Sequence, residues 1–187
     1  MANKVKYGLR NVKYSKLTIT GGVETYSTPV AIQGAVSLSL SPVGDPAELY
    51  ADDTLYFSQA SNQGYEGDLE TALLPQSFLT DILGFTVDIN GAIIENADQT
   101  ASPFALGFEI QGDQKGSRIW LYNCSCTRPN QETSTKEKGT TPVTDKLSIT
   151  VAPRLSDKQI KVSMTLSEFN ATAYNGFFTT VYEEDEA

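Results

Sequence analysis

Hydrophobic and polar residues alternate along much of this chain, a pattern typical of β-strands that bury one face. Along 35–40, for example, Val36, Leu38 and Leu40 fall on the same face of the strand. Further strands are predicted for the segments 17–20, 104–110, 117–124, 147–151 and 160–166. The chain is therefore expected to be mainly β.

Two pairs of segments predict hairpins. Asn90-Gly91 lies between the apolar segments 85–89 and 92–95, and Asn-Gly in that position is the strongest short signal for a hairpin turn. The turn-rich residues 112–116 connect the predicted strands 104–110 and 117–124. We expect the strands of each pair to be antiparallel neighbours.

One segment, 75–83, predicts a helix. Pro75 suits the first turn, and Gly84 suits the position just after the last turn. The apolar residues at helical spacing are Phe78, Leu79, Ile82 and Leu83. They are expected to pack the helix on a sheet, so the fold class predicted is a two-sheet β-sandwich or a barrel-like fold with one short flanking α-helix.

The chain shows no internal repeat or linker, so residues 1–187 are expected to form a single domain. Residues 41–64 are predicted to be a long loop that holds at most a short strand at 55–57, because prolines and glycine interrupt the alternation. The acidic end, 183–187, is expected to be disordered. We expect the apolar cluster of Phe177, Phe178 and Val181 to be ordered only by neighbouring molecules.

Composition excludes several classes of chemistry. The 187 residues include no histidine, which excludes Ser-His-Asp and Cys-His catalysis and histidine-ligated metals. No apolar run approaches the ~20 residues of a membrane helix. The first residues lack the apolar segment of a secretory signal, so synthesis in the cytoplasm without membrane insertion is expected.

The remaining candidates for a chemical site are weak. Cys124 and Cys126 share a strand face, but two thiolates make only half of a zinc site, which favours two packed residues. Asp52-Asp53 and the alternating acids of 66–70 could offer oxygen ligands to a divalent cation, although a solvated strand face is favoured. No catalytic, cofactor-binding or metal site is therefore predicted.

Charge is segregated along the chain, which has 14 basic and 23 acidic residues and a net charge of −9. Residues 1–16 carry five basic groups and no acid, whereas residues 17–114 carry fourteen acids and no basic group. One explanation is contact between unlike faces of identical subunits. The other is a sheet surface that mixes these segments after folding, and the sequence leaves both open.

An ordered series of segments over nearly the whole chain resembles the major tail proteins of long-tailed bacterial viruses. The series begins with VKYGL (5–9) and includes the Asn90-Gly91 turn. Its other members are LYADD (49–53), GYEGDLE (64–70), LPQSFLTDILG (74–84), PFALGFE (103–109) and RIWLYNC (118–124), followed by Arg128-Pro129. No single motif is specific; the order of the segments carries the resemblance.

The resemblance implies a tail tube subunit, not an enzyme, with no cofactor. Rings of six copies would stack around a tape measure protein, and tail terminator and distal tail proteins would be further partners. DNA would pass through without specific binding and without contact with a membrane. The protein would be made in the host bacterial cytoplasm and would end in the tail of the virion.

In a tail tube, the basic and acidic segments of the chain are expected to form contacts between subunits. The basic amino-terminal arm, 1–16, is expected to contact an acidic part of another subunit through Lys4, Lys6, Arg10 and Lys13. The leading acidic partner is the loop 41–64, with Asp52 and Asp53. An acidic balance also suits a conduit, because a basic wall would hold the DNA duplex.

Three other functions remain open at this point. The nearest alternative is a tube or ring subunit of a secretion-type system. A carbohydrate-binding β-sandwich module could use Trp120 and the nine tyrosines as stacking faces, although Trp120 lies mid-strand between Ile119 and Leu121, which favours a packing role. A carboxylate-based glycosidase ranks last, because no pair of acids stands out.

Overall fold

The computed structural model describes residues 7–112, 116–131, 133 and 143–184, and its fold is mainly β. The two helices of this part are α1 (Gln76–Asp81) and α2 (Ala171–Gly176). Its strands are β1 (Leu9–Thr20), β2 (Val23–Tyr26), β3 (Val30–Ala31), β4 (Ala35–Val43), β5 (Ala47–Ala51), β6 (Thr54–Gln59), β7 (Gly64–Thr71), β8 (Thr86–Val87), β9 (Ile93–Ile94), β10 (Phe104–Ile110), β11 (Ser117–Cys126), β12 (Asp145–Ala152) and β13 (Lys161–Thr165).

Nine strands form one antiparallel sheet in the order β2-β1-β10-β11-β12-β7-β4, with β3 paired to β1 and β13 paired to β11. Strand β11 divides its second edge between two neighbours. Residues 117–121 pair with β13, and residues 123–126 pair with β12. The sheet therefore forks along β11.

The two ends of the sheet come together. Strand β3 pairs with β1 at Lys13 and Tyr14, and the chain then runs through Ile32 into β4, the last strand of the sheet order. The sheet thus curls until β4 lies near β1, which produces the barrel-like arrangement that the alternation predicts.

The main hydrophobic core lies inside this curl and is closed by α1. Pro75 precedes the helix in an extended conformation, and Phe78 and Ile82 are fully buried. The ring of Phe78 meets the rings of Tyr14 and Phe104 edge to face, with centroids 5.1 and 5.5 Å apart. The helix is shorter than the predicted 75–83, but its apolar face covers the core.

A second hydrophobic core lies on the opposite face of β10 and β11. Trp120 is fully buried there against Phe177 and Phe178, and its indole Nε1 donates a hydrogen bond to the Phe177 carbonyl at 2.8 Å. The expectation that Phe177, Phe178 and Val181 need neighbouring molecules to be ordered is wrong. They follow α2, a helix that the sequence analysis did not predict, and pack on their own sheet.

The start of the acidic end also departs from expectation. Glu183 forms an ion pair with the buried Arg154 at 3.3 Å, and Glu184 accepts a hydrogen bond from Gln159 at 2.9 Å. The remainder, 185–187, lies outside the described residues. The predicted disordered tail therefore does not include Glu183 or Glu184. Arg154, which stacks on the ring of Tyr122 in the second core, pairs with Glu183.

The predicted hairpins at Asn90-Gly91 and at 112–116 are confirmed as β8–β9 and β10–β11. The predicted long loop at 41–64 is instead mostly a third hairpin, β5–β6, carried between β4 and β7. Asp52 and Asp53 form its turn with φ of 51° and 57°. Two successive left-handed residues make the tight turn whose twist matches paired strands.

We predict that Gly107→Ala destabilises the fold. A Cβ at Gly107 would lie 2.7 Å from the ring of Trp120, and neither the strand nor the buried indole can move freely. The expected loss in the free energy of unfolding is about 1–3 kcal/mol, measured by urea denaturation. Gly176→Ala is the matched control, because a Cβ there meets nothing within 4 Å. Equal stability of the two variants would contradict the packing argument.

Candidate assembly surfaces

The cysteines are packing residues. Cys124 is fully buried in the main core and Cys126 is partly buried, and both are free thiols. Burial raises the pKa of the Cys126 thiol to about 12 and that of the Cys124 thiol further, so both remain protonated near neutral pH. Within the described ranges, no group of three or more His, Cys, Asp or Glu side chains is placed to hold a metal ion.

The alternating acids of β7 belong to a hydrogen-bonded polar face. Asp68 accepts a hydrogen bond from Ser148 at 2.7 Å and pairs with Lys146 at 3.0 Å. Glu70 accepts hydrogen bonds from Thr144 at 2.6 Å and from Ser37 at 3.0 Å. These hydroxyl donors are the leading reason why the pKa of each carboxyl is lowered. The outer face of β4, β7 and β12 is thus polar and acidic.

The predicted basic arm is only partly an arm. Lys4 and Lys6 lie outside the described residues, whereas β1 begins at Leu9 and belongs to the sheet. Arg10 and Lys13 are therefore strand residues. The arm was predicted from charge alone, but Val12 and Tyr14 between and beside these cations are buried, which requires a strand here.

Arg10 binds a buried carboxylate in its own chain. Glu109 on β10 is 2% exposed and accepts hydrogen bonds from Arg10 Nε at 3.2 Å and from Asn11 Nδ2 at 2.7 Å. Arg118 Nε lies 3.6 Å from the other side of the carboxylate. The Arg118 guanidinium also stacks on the ring of Tyr174, 4.0 Å from its centroid.

The sequence analysis missed Glu109, Asn11 and Arg118. The available signal was one acid, Glu109, within the apolar strand 104–110, since a carboxylate there needs cations around it. Burial raises the pKa of Glu109, but hydrogen bonds from Arg10 and Asn11 and the charges of both arginines lower it by more. The net result is a pKa below the ordinary value.

Asp52 and Asp53 lie at the tip of β5–β6, and no ion pair joins them to Arg10 or Lys13 among the described residues. Lys13 instead donates to the Phe178 carbonyl at 3.3 Å. Among the described residues, the structure therefore does not bring Arg10 or Lys13 together with Asp52 or Asp53 within one chain.

The β5–β6 hairpin is exposed on both faces. Every residue of its two strands except Ala51 is exposed, and Tyr56 reaches 76%. Leu49 pairs with Phe57 across the strands, and Tyr50 pairs with Leu55. The register shifts between Leu49 and Tyr50. On β6, Leu55 and Phe57 share one face and Tyr56 lies on the other, so both faces of the hairpin present large apolar or aromatic side chains to solvent.

A second small hairpin, β8–β9, is also apolar outside. Ile89 in its connection is 99% exposed, and Val87, Ile93 and Ile94 are exposed as well.

The described residues include no helix with the length and apolarity that a membrane crossing requires.

No protein-family model matches this chain, and no curated protein is similar to it in sequence above the level of chance.

We predict that Glu109→Gln destabilises the fold by about 3 kcal/mol near neutral pH, because it leaves two arginines around a buried neutral amide. The pKa of Glu109 is lowered in the folded state, so its contribution is fully present above its ordinary value of 4.5 and is lost as the pH falls through the folded-state value. The stability difference between wild type and variant should therefore shrink below that pH.

Urea denaturation at pH 7 and at several acidic pH values measures this difference. Glu95→Gln is the control, because Glu95 pairs with Arg128 at 2.8 Å with both side chains largely exposed. A difference that stays constant on acidification would show that the charge of Glu109 does not stabilise the fold.

Proposed function

We propose that this protein is a structural subunit that assembles with copies of itself into stacked, hexameric rings, forming the tail tube of a long-tailed bacterial virus. The tube would serve as a conduit for the genome. The observation that carries the self-assembly is the β5–β6 hairpin, which exposes large apolar and aromatic side chains on both faces within the described part of the chain.

An isolated two-stranded hairpin is marginally stable in water, and this one exposes large side chains as well. Burying a leucine or phenylalanine fully yields about 1.5–3 kcal/mol. Contiguous exposed apolar surface of this kind marks an interaction site. A neighbouring copy that covers the hairpin would both stabilise it and gain from the contact.

The polar outer face of β4, β7 and β12 supports the conduit. Its side chains include the half-buried Asp68 and Glu70, which accept hydrogen bonds from the hydroxyls of Ser148 and Ser37. A wall of hydroxyls and carboxylates repels phosphates and offers DNA little to bind. The net charge of −9 acts in the same direction.

A tube or ring subunit of a secretion-type system would use the same exposed hairpin and remains the second candidate. The carbohydrate-binding alternative is weakened, because Trp120 is fully buried and offers no exposed ring on which a sugar could stack.

Electron microscopy of the concentrated protein, together with sedimentation velocity, tests the proposal. We expect rings or tubes with a central channel and a sedimenting species several times heavier than one chain. A protein that sediments only as a single chain at every concentration, and that is also a monomer in virion extracts, would overturn the proposal. Assembly within a secretion apparatus in place of a virion would favour the second candidate.

We predict that the double variant Leu49→Ser with Phe57→Ser weakens assembly by at least two orders of magnitude in the concentration required, since it removes an apolar pair worth about 3 kcal/mol or more on burial. Sedimentation velocity across a dilution series measures this concentration.

The stability of the single chain should hardly change in this variant, because both side chains are exposed in it. Leu155→Ser removes an exposed leucine elsewhere and serves as the control. Assembly of the double variant at the wild-type concentration would show that this face of the hairpin makes no contact.

A further inference from the structure

We infer that the β5–β6 hairpin of one copy lies in the gap between β1 and β4 of the next copy. This inference rests on the proposed function and specifies which surface receives the hairpin. We call this gap the seam, because the two ends of the curled sheet face each other there without pairing.

The seam consists of two adjoining hollows that share Leu9. One measures about 340 Å³ and has an apolar lining that includes Leu38, Leu40, Phe108 and Ile110. The other measures about 420 Å³ and is lined by both Arg10 and Lys13. An apolar floor therefore continues into a cationic end.

The strands that border the seam have free edges within the described residues. Strand β4 ends the sheet order and pairs only with β7. Strand β1 receives β3 only at Lys13 and Tyr14, so Leu9 and Arg10 pair with β10 alone. Unpaired backbone at a sheet edge is a template for another strand, and a hairpin offers such strands.

Charge complementarity selects a second copy as the occupant. The segment 44–63, which contains the hairpin, carries four acids (Asp45, Glu48, Asp52 and Asp53) and no basic residue. Arg10 and Lys13 line the seam. Arg10 and Arg118 flank the carboxylate of Glu109, whereas Lys13 donates to the Phe178 carbonyl. The three cations of this region therefore exceed its one carboxylate by two charges. Apolar and charged features of the hairpin thus both match those of the seam.

Within the described part of one chain, the hairpin is exposed and both hollows of the seam are open. A projecting surface and its complementary groove on different parts of one molecule make a heterologous contact, which repeats from copy to copy and builds rings or filaments. The contact at the seam is therefore heterologous and can add one copy after another, unlike a symmetric pairing of two hairpins.

Site-specific photo-cross-linking tests this placement. The probe benzoylphenylalanine replaces Tyr56 in the hairpin in one protein and Tyr7, which lines the seam, in another. Mixed assemblies of isotope-labelled and unlabelled copies separate cross-links between copies from those within a copy. We expect the probe at 56 to capture peptides from 7–13 or 35–40 of another copy, and the probe at 7 to capture peptides from 45–59.

A probe at Ile89, which is also exposed and lies on β8–β9, is the matched control and should capture other peptides. Assemblies that form while the probe at 56 captures other surfaces would overturn the seam placement alone. Failure of the probe at 7 to capture 45–59 of another copy in such assemblies, or its capture of a different virion protein there, would also overturn it. A protein that never assembles would overturn the proposed function as well.

Removing the charges of the hairpin tip gives an independent test. In Asp52→Asn with Asp53→Asn the left-handed turn is retained, because asparagine adopts that conformation readily. We expect the concentration needed for assembly to rise about tenfold at low salt, and the difference to narrow at about 0.5 M salt. Asp98→Asn with Glu168→Gln removes the same charge elsewhere. Equal behaviour of the two double variants at low salt would overturn the charge complementarity.

Discussion

The double burial of β10 and β11 is the constraint on which the rest of the structure depends. Phe104 and Leu106 face the main core, while Ala105 and Trp120 face the second core. A strand offers its side chains to two faces in turn, so a pair buried on both faces must lie in the middle of the fold. Gly107 serves this arrangement, because only a residue without a Cβ lets the Trp120 ring lie against the strand.

The fork and the seam follow from that central pair. One neighbour of β11 leads around the main core through β12, β7 and β4, while β13 remains on the other branch. Glu109 then draws Arg10 and Asn11 toward β10, and the register of β1 shifts between Arg10 and Lys13. The first residues of β1 are thus committed to β10, which leaves β4 with a free edge.

The elements that the sequence predicted correctly are those that depend on residues close together in the chain. Strand alternation, the Asn90-Gly91 turn and the spacing of Phe78 and Ile82 each depend on residues close in sequence, and the structure has each element. The β5–β6 hairpin could not be predicted in this way, because a hairpin with no buried face has no reason to alternate. Contacts such as Trp120 with Phe177 join residues 57 positions apart, and no sequence period indicates them.

The charges of the seam illustrate the same limit. The segregation of basic and acidic residues is visible in the sequence, but Arg10 finds its partner Glu109 at a distance of 99 positions. Sequence alone therefore suggested a free basic arm at a position where the fold pairs Arg10 with a carboxylate of the same chain. Two arginines pair with Glu109, so the net positive charge near β1 depends on which residues the fold brings together. The charges of separate sequence segments do not predict it.

In the proposed assembly, the distribution of charge would also determine the direction in which copies join. Two hairpins placed tip to tip would bring the carboxylates of Asp52 and Asp53 from both copies together, and like charges in contact oppose association. A hairpin placed against the cations of β1 meets opposite charge instead. The chain is strongly acidic overall, so copies approach each other against net repulsion unless unlike surfaces meet. In the proposed assembly, the polarity would therefore follow from where the fold places a few cations in an acidic molecule.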